Sequence, residues 1–531
     1  MPTVSKAFQR IGGAAVAAGL LVPVMAVAAN AGPHSSAAHA SSCSSKAATS
    51  TSVARLGAGV SLTTGQAGNL YPAGSSTHLL VTDPSSGPAT QQVRLQVSNQ
   101  TQSLGTVQAS VSRPAAKAAA TSARKSVKVP NRPGWYQIRA ERVSGSQVLG
   151  VSCLWYGVAM PNAALNLDTL PAGKDWGGPG PLRDVALSAQ LGLNVVRIQL
   201  NVDSFLANPG YADPELTQAA HRAAKLGLRF VVQIGQGAPD ETAAVKNGSW
   251  GHLVRRIVTQ YPAVRYWSPW NEPNAGEFFY GSVKTYIDRV LVPADKAVHA
   301  VSPEAKVVGG SAIGDDAPWW NKFAALGGFH DCDAISVNPY TSYLGAPETA
   351  GLLGDLRLVR SLAKSHGASH KPILDTESAY PSTYQGVHAN LSTQADYVSR
   401  KYVLERALGV DSGEYLIEGG YQNWDIIDYN HGVKPAAMAL SAASTLLAHR
   451  HFVGWVHTGK ADVYAARFSA AHGSSHQLIV TWSSKGSHRV GLHGTHAGYS
   501  VFGAPARFSG HVMATGALSF LSVSAGSNPL V

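Results

Sequence analysis

The sequence has little cysteine, few charged residues and few long apolar runs. Of its 531 residues, three are cysteine and 14% are charged. The low charged fraction, together with 54 glycines, favours loops and sheets over long solvated helices. Outside the N-terminal segment no stretch reaches about 18 uninterrupted apolar residues, so we expect no further membrane-spanning helix.

The cysteines are Cys43, Cys153 and Cys332. In an exported chain Cys43 and Cys153 are the favoured disulfide pair, because they bracket one predicted domain. Cys332 lies in the stretch HDCDAISVNPY, beside His330 and Asp333. This cluster has no spaced set of partner ligands, so we expect a buried thiol there and no metal site.

Acidic residues are scarce outside the middle of the chain. The formal net charge is +11; residues 50–150 hold ten Lys or Arg against Asp83 and Glu141, and residues 446–531 hold Asp462 alone. A basic flank suits docking on an anionic cell-wall or capsular polymer, but it also suits a solvated face without a partner. No aromatic and basic module typical of nucleic-acid binding is present, so we do not expect nucleic acid as a partner.

The N-terminus has the pattern of an export signal. Lys6 and Arg10 precede the apolar, small-residue segment 11–29, and AVA and ANA offer cleavage sites. Glycines and a proline within the segment disfavour a membrane anchor. We therefore predict a secreted protein, extracellular or periplasmic, with a signal peptide at 1–31 and a Ser/Ala/His-rich linker at 32–52.

Three further segments differ in their hydrophobic pattern. Residues 53–152 contain short alternating runs such as VRLQV, separated by Gly, Pro and Ser turns, which predict an Ig-like β-sandwich. Residues 446–531 have a similar pattern and predict a C-terminal β-sandwich. In residues 153–445, strand-like runs alternate with helix-like segments. We predict the α/β class, with a (β/α)8 TIM barrel flanked by the two sandwiches.

Eight strand-like runs make up the predicted barrel. They are residues 154–160, 194–200, 228–235, 264–270, 305–312, 332–340, 371–378 and 413–420. Because the active site of such a barrel lies at the carboxyl ends of its strands, the residues that end these runs are expected to carry the chemistry.

Two glutamates end the fourth and seventh runs, Glu272 in WSPWNEPN and Glu377 in ILDTES. Three units apart in a ring of eight strands, they can face each other across the mouth of the barrel. Cleavage of a glycosidic bond needs such a pair, one carboxyl to protonate the leaving oxygen and one to attack or stabilise the anomeric carbon. A structural alternative for Glu272 is a helix start, with Pro273 at the first helical position.

The neighbours of the two glutamates suggest a division of roles. Arg197, from the second run, would keep one glutamate ionised as the nucleophile. A glutamate in a drier setting against Trp270 would hold its proton longer and act as the acid. Asp375 shares a strand face with Glu377, and we expect it to be a buried hydrogen-bonding partner. Asn271 offers an amide to a sugar hydroxyl.

These motifs, in this strand order, resemble glycoside hydrolase clan A, the retaining barrel glycosidases, and look most similar to family 39 and its relatives. The resemblance implies that Glu272 is the acid/base, that Glu377 is the nucleophile and that Asn271 contacts the sugar 2-hydroxyl. It also implies substrate-site roles for Arg197 and for Tyr340, which would support the nucleophile.

Three more residues complete the expected substrate site. Asn338 precedes Tyr340 at a position where many relatives carry histidine. Trp424 is expected at the sugar platform. Glu418 is expected either to contact the sugar or to serve a structural purpose.

The resulting prediction is a retaining β-glycosidase that needs neither a metal nor an organic cofactor and acts on an oligo- or polysaccharide. Two alternatives stay open at this point. One is an endo-acting polysaccharide hydrolase of the same clan, and the other is a non-catalytic polysaccharide-binding protein.

Overall fold

The structure is a computed structural model of the chain. It describes residues 57–58, 60–72, 74–83, 90–99, 103–112, 123–160, 180–207, 212–314, 316–340, 345–383, 390–415, 417–418, 423–428, 432–471 and 474–531. The predicted signal peptide and linker lie outside these residues. In the described part of the chain, no helix combines the length and the apolar character needed to cross a bilayer.

Seven parallel strands form the sheet that carries most of the predicted site residues. They are β1 (Val195–Gln199), β2 (Arg229–Gly235), β3 (Tyr266–Trp270), β4 (Lys306–Ile313), β5 (Ala334–Asn338), β6 (Ile373–Asp375) and β7 (Val410–Asp411). Each strand pairs with the next in chain order. Val195, Val231, Val308, Ala334 and Leu374, from five of these strands, pack in one apolar cluster. The sheet is therefore curled, because side chains of strands that are not neighbours meet on its inner face.

Strands β1 to β6 are each followed by at least one helix, as the alternating pattern predicts. The helices of this part are Pro181–Leu191, Val202–Ala207, Pro214–Lys225, Pro239–Asn247, Trp250–Gln260, Val283–Tyr286, Val292–Val301, Ala317–Ala325, Leu352–Ser365 and Leu391–Leu408. A π-helical turn, Ile287–Leu291, joins Val283–Tyr286 to Val292–Val301.

Two of these helices begin at aspartate caps. Asp213 accepts a hydrogen bond from the backbone N–H of Glu215 (2.9 Å), and Asp316 accepts one from the backbone N–H of Trp319 (3.0 Å). In both cases a proline occupies one of the first two helical positions, where its missing N–H costs nothing.

The first and last predicted barrel runs differ from the prediction. Residues 154–160 lie at the end of strand Gln147–Val158, which pairs antiparallel with Gly134–Ser144. The last parallel strand is Val410–Asp411, whereas Glu418, from the predicted run 413–420, forms an isolated bridge to Ile427. An apolar run specifies a buried strand but not its partner, which long-range packing decides.

Two sheets in residues 57–160 share one core. An eight-stranded sheet includes Gly57–Ala58, Leu70–Tyr71, Thr90–Ser98, Ser103–Ser112, Gly134–Ser144, Gln147–Val158, Ile427–Asp428 and Gly432–Val433, and a three-stranded sheet consists of Ser61–Thr63, His78–Asp83 and Ala123–Lys128. Val81 and Val127 of the smaller sheet pack in one cluster with Leu95, Ile138 and Tyr156 of the larger one. The alternating runs therefore bury one face, as predicted.

The C-terminal residues form one antiparallel sheet of six strands, preceded by helix Pro435–Leu447. The strands are Phe452–Trp455, Val463–Phe468, His476–Ser483, His488–Tyr499, Pro505–Ala514 and Ser519–Ser524. Ile479, Val490, Val512 and Leu521 lie at the centre of its core.

The described residues form two compact units. Residues 180–380 and 400–415 form one unit, which contains the parallel sheet; residues 57–160, 381–399 and 417–531 form the other. The domain boundaries at 153 and 445 stay predictions.

The cysteines partly bear out their prediction. Cys332 is a free, buried thiol, as expected. Cys153 is disulfide-bonded. Its favoured partner, Cys43, lies outside the described residues.

Candidate active site

Glu272 lies just beyond the end of β3, in an unusual backbone conformation. Its φ is 41°, in the left-handed region that glutamate rarely adopts, and its side chain is completely buried. Such a conformation costs free energy and persists where the surrounding structure imposes it, often at functional sites. The turn aims the carboxyl inward instead of toward solvent.

The two carboxyl oxygens of Glu272 have different surroundings. Oε1 accepts a hydrogen bond from Nδ2 of Asn338 (3.0 Å), whereas Oε2 is buried without a hydrogen-bond partner among the described residues. Burial, and after it the negative charge of Glu377, raise the pKa of Glu272 to about 8. Glu272 is therefore protonated at neutral pH.

Glu377 follows β6 and has strong partners on both oxygens. The hydroxyl of Tyr340 donates to Oε1 (3.0 Å), and Nη1 of Arg197 donates to Oε2 in an ion pair. The ion pair places a positive charge against this carboxylate, and such charge-assisted hydrogen bonds are stronger than neutral ones.

Arg197, on β1, connects two of the predicted site residues. Its Nη2 donates to Oδ1 of Asn271 (2.6 Å) while Nη1 holds Glu377. The planar guanidinium suits such a double role, because its donors point in fixed directions. Asn271 thus has its amide oxygen occupied, and its amide nitrogen faces away from the arginine.

The structure brings six predicted residues together: Arg197, Asn271, Glu272, Asn338, Tyr340 and Glu377. They come from the carboxyl ends of β1, β3, β5 and β6, where a curled parallel sheet gathers its strand ends. The arrangement can donate a proton from one carboxyl and present the other as an anion.

The fold resembles that of a family 39 glycoside hydrolase. A solved structure of such an enzyme, from the gut symbiont Bacteroides cellulosilyticus WH2, matches with a TM-score of 0.66 at 15% identity, over 88% of this chain and 100% of that one. The resemblance suggested by WNEPN and ILDTES is thus confirmed for the fold.

Two further solved glycoside hydrolases match less closely. A glucosidase from Croceicoccus marinus has a TM-score of 0.45 at 13% identity, over 67% of this chain and 98% of its own. A monomeric β-xylosidase from Caulobacter crescentus CB15 has a TM-score of 0.44 at 13% identity, over 67% of this chain and 95% of its own. No protein-family model and no curated protein sequence matches the chain.

A chain of buried hydroxyls, which the sequence analysis did not identify, runs beneath this site. Ser311 donates to Ser336 (2.7 Å), Ser336 contacts Thr376, and Thr376 donates to Oδ1 of Asn338 (2.8 Å). Ser268 lies 3.4 Å from Ser311 at the far end. The position of Thr376 just after a strand was the available signal, but single hydroxyls are common in and beside strands.

Asp375 is buried and hydrogen-bonded, as predicted. Its Oδ2 accepts from Nζ of Lys401 (2.8 Å) and from the hydroxyl of Ser378. Lys401 is also buried, and its Nζ lies 3.3 Å from a carboxyl oxygen of Glu414 and 3.8 Å from one of Glu405, two groups whose pKa is raised by burial. Lys401 donates to both Asp375 and Ser378, which lie on either side of Glu377 in the sequence, and so holds the segment that carries Glu377.

The tryptophans near these strands are buried. Trp270 donates from Nε1 to the carbonyl of Phe278 (3.0 Å) and packs edge-on against Trp250. Trp319 and Trp320 lie in helix Ala317–Ala325 and pack against other aromatic rings. Packing against other aromatic rings is therefore the environment of Trp319 and Trp320.

Glu418 and Trp424 belong to the second compact unit, and both are buried. Glu418 pairs through its backbone with Ile427. Their roles in substrate binding stay predictions.

One group of metal-ligand type occurs in the described part of the chain. Its members are Asp295, His299 and Asp333, all partly exposed. His299 contacts Asp295 (3.1 Å) and Asp333 (3.3 Å), and Asp333 also accepts the backbone N–H of Val307 (2.8 Å). The ligand atoms thus already have protein partners, and such acidic groups are common on surfaces without an ion.

Proposed function

We propose that the chain is a retaining glycoside hydrolase that cleaves β-linked O-glycosides. Glu272 is the proposed acid/base and Glu377 the proposed nucleophile. The observation that carries the proposal is the asymmetry of the two buried carboxyls. Glu377 is paired with the guanidinium of Arg197, whereas burial raises the pKa of Glu272 to about 8. In the proposed mechanism Glu377 therefore reacts as an anion and Glu272 as an acid.

In the first step, an oxygen of Glu377 attacks the anomeric carbon and forms a glycosyl ester as the bond to the leaving oxygen breaks. Glu272 gives its proton to that oxygen, so the aglycone leaves as a neutral alcohol. The negative charge passes from Glu377 to Glu272, and the hydrogen bond from Asn338 supports the newly formed carboxylate.

In the second step, Glu272 as carboxylate removes a proton from a water molecule. The water oxygen attacks the anomeric carbon, the ester bond breaks and Glu377 leaves as carboxylate, where Arg197 and Tyr340 receive it. Two inversions return the original anomeric configuration. Asn271, held by Arg197, keeps its amide N–H groups for the sugar hydroxyls.

We also propose the wider architecture that the sequence predicts. The seven parallel strands would belong to a (β/α)8 barrel, flanked by an N-terminal and a C-terminal β-sandwich. Trp424 and Glu418 would contribute to substrate binding. An export signal at residues 1–31 would place the protein outside the cell or in the periplasm, and the basic N-terminal domain would dock on an anionic polymer.

Two alternative functions remain. An endo-acting polysaccharide hydrolase would use the same two glutamates and differ in the shape of its cleft. A non-catalytic polysaccharide-binding protein would need neither a buried acid nor an anion opposite it, so the paired carboxyls favour an enzyme.

A panel of aryl β-glycosides and polysaccharides tests the proposal. Wild type should release product from at least one substrate, and nuclear magnetic resonance of the first-formed sugar should show the β-anomer. An α-anomer would contradict the retaining mechanism. Binding to glycans without hydrolysis of any member of the panel would favour the binding protein.

A further inference from the structure

The hydroxyl chain beneath the site ends on the general acid. Its members lie on consecutive strands: Ser268 on β3, Ser311 on β4, Ser336 on β5, and Thr376 after β6. All four side chains are buried. The chain then passes through Asn338 to Oε1 of Glu272. Buried polar chains of this kind are costly unless every member is satisfied.

Each hydroxyl has a single hydrogen, which fixes the direction of the chain. The hydroxyl of Thr376 has two acceptors within reach, Oδ1 of Asn338 (2.8 Å) and the carbonyl of Val337 (3.4 Å), and the nearer one takes its hydrogen. The oxygen of Thr376 therefore accepts from Ser336. Ser336 in turn accepts from Ser311 (2.7 Å). Ser311, Ser336 and Thr376 therefore each donate toward Asn338, whereas Ser268 donates to the carbonyl of Trp270 (3.4 Å).

The direction of the chain also fixes the amide of Asn338. Because Oδ1 accepts from Thr376, Nδ2 must face Glu272, where it donates to Oε1 (3.0 Å). In a protonated carboxyl the carbonyl oxygen is a better hydrogen-bond acceptor than the hydroxyl oxygen, so an amide N–H donated to Oε1 favours the proton on the other oxygen. Oε1 is therefore the carbonyl-like oxygen of the acid, and the proton is left for Oε2.

We propose that Thr376 and Asn338 are positioning residues that place the acid proton of Glu272 on Oε2. This inference rests on the proposed function, since it assigns the atom that protonates the leaving oxygen. Oε2 is the oxygen without a partner among the described residues, so its proton is free to reach a substrate. Were the amide reversed, Oδ1 would face Glu272 and would hold the proton in an internal hydrogen bond.

Other charged groups near Glu272 would not change in a Thr376 variant. They are Glu377, Arg197 and Glu277, and the hydroxyl of Tyr340 also lies within electrostatic range. A change in the titration of Glu272 on loss of the Thr376 hydroxyl would therefore report on the amide.

The test compares Thr376→Val, which keeps the shape but removes the hydroxyl, with Thr376→Ser, which restores it. In Thr376→Val the amide is free to turn, and its oxygen can hold the acid proton. We expect the basic limb of the pH–rate profile to move up by about one unit, as for loss of one hydrogen bond. Hydrolysis of a phenyl glycoside should fall about tenfold, and that of a dinitrophenyl glycoside, whose leaving group needs no proton, less than about twofold.

Thr481→Val is the matched control. Thr481 is buried in the C-terminal sheet and donates to the carbonyl of Tyr464 (3.0 Å). Loss of the Thr481 hydroxyl removes one buried hydrogen bond at a position distant in sequence from Thr376. It should leave the basic limb of the pH–rate profile at the wild-type pH. The inference would be overturned if the basic limb of the pH–rate profile stayed at the wild-type pH in Thr376→Val. It would also be overturned if Thr376→Ser or Thr481→Val shifted that limb as much as Thr376→Val does.

A second measurement does not depend on activity. Infrared difference titration against Glu272→Gln isolates the carboxyl band of Glu272 in wild type and in Thr376→Val. The protonated band should persist to higher pH in Thr376→Val. If wild type hydrolyses nothing in the panel, the proposed function fails, and this titration still decides whether Thr376 controls the proton of Glu272.

Discussion

Arg197 and Glu377 form an ion pair in which each side chain keeps only 10% of its exposure. The pair is stabilising only if the remaining donors and acceptors are satisfied, because two charges have left water. Asn271 accepts from the second terminal nitrogen of Arg197 and Tyr340 donates to the other oxygen of Glu377, whereas Nε of Arg197 is buried without a hydrogen-bond partner among the described residues. One guanidinium therefore contacts both the proposed nucleophile and the amide that is proposed to bind the sugar.

Replacement of Arg197 by lysine should weaken catalysis although it keeps the charge. An ammonium group cannot hold Glu377 and Asn271 in the same fixed geometry. We expect kcat/KM to fall about 10–100-fold, the effect of losing one charge-assisted hydrogen bond. Steady-state kinetics on the best substrate of the panel measures this. Arg265→Lys, at a half-exposed arginine, is the matched control and should change kcat/KM little.

Replacement of Glu377 by alanine should abolish hydrolysis, with a fall on the order of 10⁴-fold or more, since a nucleophile cannot be replaced by its neighbours. Azide should restore activity toward an activated aryl glycoside, because it fits the space of the lost carboxylate. The product should be the α-glycosyl azide. Recovery of the β-azide would point to Glu272 as the nucleophile instead.

The proton of Glu272 should govern the basic limb of the pH–rate profile. Glu272 must be protonated to act as an acid, and burial raises its pKa to about 8. Activity is thus expected below that pH and should be lost as the pH rises through it. In Glu272→Gln, phenyl glycoside hydrolysis should fall about 10²–10⁴-fold, and the basic limb should disappear for a dinitrophenyl glycoside. A limb that persists in Glu272→Gln would belong to another group.

Lys401 should matter for stability as well as for the site. It is fully buried, and its removal would leave the charge of Asp375 without its closest cation. We expect Lys401→Met to lower the free energy of unfolding by about 3–5 kcal/mol. Lys284→Met, at an exposed pair with Asp288, should lower it by less than about 1 kcal/mol. Chemical denaturation followed by tryptophan fluorescence compares the two, and equal losses would contradict the assigned role.

Glu414 should make the fold less stable as the pH rises. Burial raises its pKa from 4.5 to about 7, so the folded chain holds a proton that the unfolded chain has released. The stability that Glu414 contributes is fully present below the pKa of this group in the unfolded chain, and it decreases between about pH 5 and pH 7. Glu414→Gln should flatten that dependence, measured as thermal midpoints across pH. Glu304→Gln, at an exposed glutamate, should leave it unchanged.

The strand-end argument predicted the core of the site well. Glu272 and Glu377 each follow a parallel strand and interact electrostatically, and Arg197 reaches Glu377 directly. This succeeded because a parallel sheet gathers its carboxyl ends on one side, so the order of motifs along the chain carries spatial information. The same argument failed for the runs 154–160 and 413–420, because Gln147–Val158 pairs antiparallel with Gly134–Ser144 and Glu418 forms only an isolated bridge to Ile427.

The sequence by itself determined which residue types end which strands, and thereby the pair of carboxyls and the arginine near one of them. Tertiary structure alone decided the left-handed turn at Glu272, the burial that raises its pKa, and the hydroxyl chain from Ser311 to Asn338. Local patterns report which face of an element is buried. Protonation and hydrogen-bond direction depend on atoms from several strands, and only packing brings those atoms together.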